Sequence, residues 1–167
     1  MKPRELAYCG IFGAAALLLP VMFHILHLGH IFMPMYLPLV CLAFYVRPGS
    51  AALTAVLVPL LSGAVTGMPP FVPPIAPAMS VELALIAVII GVLCQTFKTL
   101  PVWVVLAVAL MIGRIVNAGL LYGAAQVMGL PAGFIAGISL LSGWPGLVLM
   151  MVVIPQIIRL GPKRHLE

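Results

Sequence analysis

Long apolar runs bounded by breakers dominate the chain, at about residues 6–28, 33–46, 49–67, 79–97, 101–127 and 131–159. A helix needs ~20 predominantly apolar residues to cross the hydrocarbon of a bilayer, so each run is read as a membrane span. The second is the weakest, because at ~1.5 Å per residue it reaches only about 20 Å. Pro34 and Pro38 also lie in its first turns, which predicts a second helix that is short, tilted or irregular at its start. The expected fold is therefore an all-α integral membrane bundle of six helices, forming a single transmembrane domain over 1–167.

Composition agrees: of 167 residues, 64% are hydrophobic and only 7% charged, against about one quarter charged in soluble domains. The eight Lys and Arg residues bear on orientation, because loops on the cytoplasmic side are enriched in them. Lys2 and Arg4 precede the first run, Arg47 separates the second and third, and Lys98 the fourth and fifth. Arg159 closes the sixth, Lys163 and Arg164 follow it, and only Arg114 falls in the interior of a run. The connections around 28–33, 68–78 and 129–130 carry neither residue type. This alternation predicts a multi-pass protein of the cell (inner) membrane with both termini cytoplasmic. The net charge of +5 is then explained by basic flanks facing anionic lipid, with no need for nucleic acid. Cys9, Cys41 and Cys94 are an odd number, far apart and set in apolar runs, and they fit neither a disulfide framework nor a zinc site.

The connection from Met68 to Pro77 holds five prolines, Pro69, Pro70, Pro73, Pro74 and Pro77. It is expected to form a stiff apolar loop between the third and fourth helices, either a lid over a cavity, with Phe71 at its centre, or a plain linker.

Polar residues at membrane depth are costly and point to a cavity or a partner. Arg114 lies near the middle of the fifth run with Asn117 three residues on, on the same helical face. Its guanidinium suits a carboxylate, a phosphate or an amide-rich ligand, or else a structural tie to Glu82 or to helix-end carbonyls. Glu82 is expected in the first turn of the fourth span, near the outer surface, with Arg114 roughly two turns deeper. A direct pair then requires a tilt or a long reach, and a ligand or water between the two is the alternative. His24, His27 and His30 have a spacing of three, which makes them weak metal candidates beside a reading as helix-end histidines. Ser139, Ser142, Gly143, Trp144 and Pro145 interrupt the last run, where a kink is expected and Trp144 offers a stacking surface. Cys9, Gly10, Gly13, Ala14, Ala15 and Ala16 form a small-residue patch on the first span, suited to close helix packing within the bundle or against another membrane subunit. No nucleophile with a base, HExxH motif, carboxylate pair or phosphate loop is present, so neither catalysis nor a cofactor is expected.

The segment Leu28-Gly29-His30-Ile31-Phe32-Met33-Pro34-Met35-Tyr36-Leu37-Pro38, followed by Thr66-Gly67-Met68-Pro69-Pro70 and then Glu82, resembles the substrate-binding S components of energy-coupling factor (ECF) transporters. The resemblance implies six helices, cytoplasmic ends and an outward pocket closed by the first and third outward loops. It further implies capture of a micronutrient of the vitamin or vitamin-precursor class, and a small-residue surface on the first helix, Gly10, Gly13 and Ala14, that meets a transmembrane coupling subunit driven by two ATPases. The chain differs in carrying Tyr36 where many relatives carry His, and its alanine-rich patch lacks the tryptophan of some members. The residues expected to hold the solute are Arg114, Asn117, Glu82, Trp144, His30, Tyr36, Phe71 and Ser142, favouring an anionic or heterocyclic organic molecule over a bare metal ion. Two other readings stand beside this one: a membrane scaffold of MreD-like type, and a metal-uptake subunit using His24, His27 and His30.

Overall fold

The computed structural model describes residues 2–25, 33–97, 99–129 and 143–160, apart from the side chains of His24 and Ile25. Among these residues the chain forms six helices and no strand: α1 (Pro3–Ile25), α2 (Tyr36–Leu42), α3 (Pro48–Thr66), α4 (Ile75–Thr96), α5 (Val102–Val127) and α6 (Trp144–Leu160). Four of them, α1, α3, α4 and α5, are long and apolar enough to cross a membrane. Their outward surfaces carry large bare side chains such as Ile11, Val65 and Ile115. Lipid tails solvate such surfaces, whereas water would penalise them.

The second expected span is short and starts late, as its prolines predict, but its place is not the expected one. Its helix covers only Tyr36–Leu42 before the chain turns through 43–45, and seven residues rise only about 10 Å. Instead of facing lipid, α2 lies at the centre of the bundle. It touches α1, α3, α4 and α6, and Leu39, Val40, Cys41 and Leu42 are all fully enclosed. A helix that is apolar all round belongs in a core, and here its partners are other helices. Of the sixth expected span, the described part is α6, whose 17 residues form a shorter apolar helix. Pro145 falls in the first turn of α6, where proline is tolerated because that N–H has no partner within the helix. It therefore opens this helix instead of kinking it.

The fourth helix begins earlier than its apolar run suggests. Pro74 precedes Ile75, and Pro77 occupies the first turn of α4. The prolines thus initiate the helix as well as stiffening the loop before it, for the same missing-donor reason. The loop is pinned to the end of α3, where Ser62 Oγ donates to Met68 O at 2.7 Å and Thr66 Oγ1 donates to the same carbonyl at 3.1 Å.

One end of the bundle collects the basic residues. Arg47 Nε lies 3.4 Å from Glu5 Oε1, the rings of Tyr8 and Tyr45 stack at 5.7 Å, and Tyr45 OH donates to Ile157 O at 3.3 Å. These contacts bring the start of α1, the 43–48 turn and the end of α6 together, and with them Lys2, Arg4, Arg47 and Arg159. Pro48 also packs on Gly91 of α4, where a Cβ would collide with the proline ring. Lys98, Lys163 and Arg164 lie outside the described residues.

Gly91→Ala is expected to lower stability by about 1–3 kcal/mol, the usual cost of overpacking. Gly123→Ala serves as its control, because Gly123 sits in α5 with nothing within 4 Å of an added Cβ. Both positions are helical and gain the same propensity, so a difference in melting temperature in detergent isolates the steric clash at Pro48.

Candidate functional site

The polar centre is built from three elements. Tyr36 opens α2, Glu82 lies on α4, and Arg114 lies on α5. Each is buried: Glu82 is 0%, Tyr36 3% and Arg114 6% exposed. Arg114 Nε stands 3.3 Å from Glu82 Oε1, and Tyr36 OH donates to Glu82 Oε2. The Arg114 guanidinium also lies over the Tyr36 ring, with Cζ 5.1 Å from its centroid, a cation–π geometry. One carboxylate therefore faces the cation with one oxygen and accepts from the phenol with the other.

The direct pair corrects the depth expected for both residues. Because α4 starts at Ile75, Glu82 lies two turns inside the helix and not in its first turn. Helices α4 and α5 are joined by a short link, so depth is best counted from that end. Glu82 stands fourteen residues before Thr96, and Arg114 twelve after Val102, a difference of only about 3 Å of rise. Neither a long reach nor a bridging water is needed.

Gly113 makes the approach possible. A Cβ there would stand 2.6 Å from the side chain of Ile86 and 3.4 Å from Glu82 Cγ. Ile86 is four residues after Glu82 and so on the same face of α4. The absence of a side chain at 113 lets that face close onto the base of Arg114. Sequence reading passed over Gly113, although a Gly-Arg pair in the middle of an apolar run is the signal that would have found it.

Met33 is a second residue that sequence reading did not single out. The Met33 thioether lies directly against Arg114 Nη2. Met33 has φ 47, in the left-handed region that non-glycine residues seldom adopt. Its side chain rests where a Cβ on Gly143 would be, so the start of α6 reaches the site through it.

The remaining candidates divide. Asn117 is buried on α5, three residues from Arg114. Phe71 packs elsewhere: its ring covers Gly63 of α3, with an added Cβ there 2.9 Å from the ring and 2.7 Å from Pro69 O. The proline loop thus folds onto the end of α3. Trp144, the first residue of α6, is 53% exposed. His27, His30, Ser139 and Ser142 lie outside the described residues, as does the side chain of His24. Among the described residues no group of three His, Cys, Asp or Glu side chains is placed to hold a metal ion. The small-residue patch on α1 is split by the helix. Cys9, Gly13 and Ala16 face inward, Gly13 against Val58 and Thr54 of α3, while Gly10 and Ala14 face outward.

Arg114→Ala is expected to destabilise the protein by about 3–5 kcal/mol, because it leaves a buried carboxylate without its cation. The double change Glu82→Gln with Arg114→Ala removes both charges and should recover most of that loss. Thermal unfolding of the two singles and the double gives the coupling energy, and additive losses would show that the two charges do not depend on each other.

No protein-family model, no curated protein and no solved structure matches the chain.

Proposed function

We propose that this protein is a membrane-embedded, high-affinity solute-binding subunit that captures a micronutrient of the vitamin or vitamin-precursor class for an ATP-driven uptake transporter of the ECF type. The single observation that carries this reading is the buried Tyr36–Glu82–Arg114 cluster, which sets two charges inside a largely apolar bundle. A charged side chain at mid-membrane costs about 2.5–3.5 kcal/mol on insertion scales and is usually retained for function. A bundle that needed only to fold would reach the same packing with apolar side chains, often with greater stability. In this reading the chain crosses the membrane six times, and the basic end that gathers Lys2, Arg4, Arg47 and Arg159 is cytoplasmic. The polar cluster, with Asn117 beside it, faces solute arriving from the other side. The outward face of α1, where Gly10 has nothing within 4 Å, meets the transmembrane coupling subunit, itself driven by two ATPases.

Two experiments test this. Protein purified gently from its own host should carry a small molecule visible by native mass spectrometry, and Arg114→Lys should lose it, since Lys keeps the charge but not the planar fork of donors. An empty protein that retains membrane or cytoskeletal partners would replace capture with a scaffold role. Separately, Gly10→Leu with Ala14→Leu should leave solute retention unchanged while reducing uptake in cells at least about tenfold, because bulk on a small-residue face blocks close helix approach. Loss of retained solute in that double variant would mean that the outward face of α1 supports the site itself.

A further inference from the structure

Among the described residues Arg114 meets the Glu82 carboxylate, the Tyr36 ring and the Met33 thioether, and these contacts are unequal. Toward α4 it meets a carboxylate, its natural partner. On the other side its Nη2 lies against the sulfur of Met33, one of the weakest acceptors a protein offers. Guanidinium donors form bonds to oxygen roughly twice as strong as those between neutral groups, so this donor has far more to gain from another partner. Glu82, Tyr36 and Arg114 are shut away, whereas Met33 is only partly buried against the core. It is therefore the outermost member of the group. It reaches Arg114 from a left-handed backbone conformation directly before Pro34, and conformations of this sort cost about 1–3 kcal/mol and gather at ligand sites.

Charge then selects what can take the place of the sulfur. Glu82 and Arg114 cancel, and Tyr36 contributes a neutral hydroxyl to the carboxylate. A carboxylate or phosphate added beside Nη2 would leave a net negative charge next to the buried Glu82 and Arg114, which a low-dielectric interior penalises. A carbonyl oxygen or a ring nitrogen would accept the same N–H and leave the balance at zero.

We propose that the Met33 thioether occupies the subsite for a neutral hydrogen-bond acceptor of the bound solute, donated to by Arg114, and that Glu82 turns this subsite against anions. The proposal rests on the capture reading and narrows the organic solute expected from the sequence to one that presents an uncharged carbonyl or heterocyclic nitrogen at this point.

Met33→Cys in the full-length protein tests it without knowledge of the solute. The introduced thiol is reacted with a neutral hydroxyethyl methanethiosulfonate and with the anionic sulfonatoethyl reagent. Each rate is read at residue 33 by peptide mass spectrometry and divided by the rate with free cysteine. The neutral reagent should be favoured at least about tenfold, since unit charges this close interact strongly in a protein interior. Adding Glu82→Gln should reverse the preference by exposing the charge of Arg114. Equal rates, or a faster sulfonate, with Glu82 in place would overturn the proposal, as would an introduced thiol that reacts with neither reagent. The Glu82-containing protein decides this even where the double variant fails to fold. A protein that retains a solute yet shows no neutral preference loses this subsite and keeps its capture role. A neutral preference in a protein that retains nothing upholds the subsite and removes capture.

Discussion

A charge inside an apolar bundle has to be answered by another charge, and much of this fold is arranged around the place where Glu82 answers Arg114. The contact needs α4 and α5 close together, which Gly113 permits by leaving room for Ile86. It also needs the second carboxylate oxygen to be occupied, which is the role of Tyr36. Tyr36 in turn requires that α2 enter the middle of the bundle instead of lying along its outside, and α2 is short and apolar on every side accordingly. One ion pair thus explains a glycine, a tyrosine and the position of a helix.

A second arginine–glutamate pair shows how much environment matters. Glu5 and Arg47 are at a similar separation, 3.4 Å, yet the Arg47 side chain is 56% exposed. Exposed pairs are worth at most about 1 kcal/mol, so this one organises the basic end less than do the stacked rings of Tyr8, Phe12 and Tyr45. For the buried pair the penalty of losing one partner is several times larger. The two ends of the bundle are therefore held differently. Aromatic stacking and the Gly91–Pro48 contact close the basic end, while side-chain hydroxyls of α3 anchor the proline-rich loop at the other.

The long helices were legible because apolar length is a strong signal and the bilayer sets its scale. The second helix was less so: an apolar run of fourteen residues reads alike as a thin span or as a buried core helix, and only its neighbours decide. The start of α4 was hidden by prolines, which forbid a helix interior but suit a first turn, and the depth of Glu82 was misjudged with it. Arg114 and Glu82 stood out as charges in apolar runs. Their direct contact did not, because counting from the outer ends ignores the greater length of α5, while counting from the shared link sets them nearly level. Met33 lay within the segment that carries the resemblance but had no signal of its own, since one methionine among ten looks like packing until its sulfur is found against a guanidinium.

That sulfur bears on what kind of polarity the site has. Arginine brings five N–H donors and a single charge, and a carboxylate can cancel the charge without using all the donors. The Glu82–Arg114 pair is in this sense neutral but rich in directed hydrogens, and neutrality is what lets it persist among apolar helices. An unpaired arginine would attract any anion and would bear the full cost of burial while empty. A paired one avoids most of that cost and keeps donors whose direction is fixed by Tyr36 and Glu82. A thioether, which is only a weak acceptor, lies over one of those donors. An uncharged acceptor set against such a donor would leave the balance of the pair untouched, whereas an added charge would disturb the pair on which the packing of α2, α4 and α5 rests.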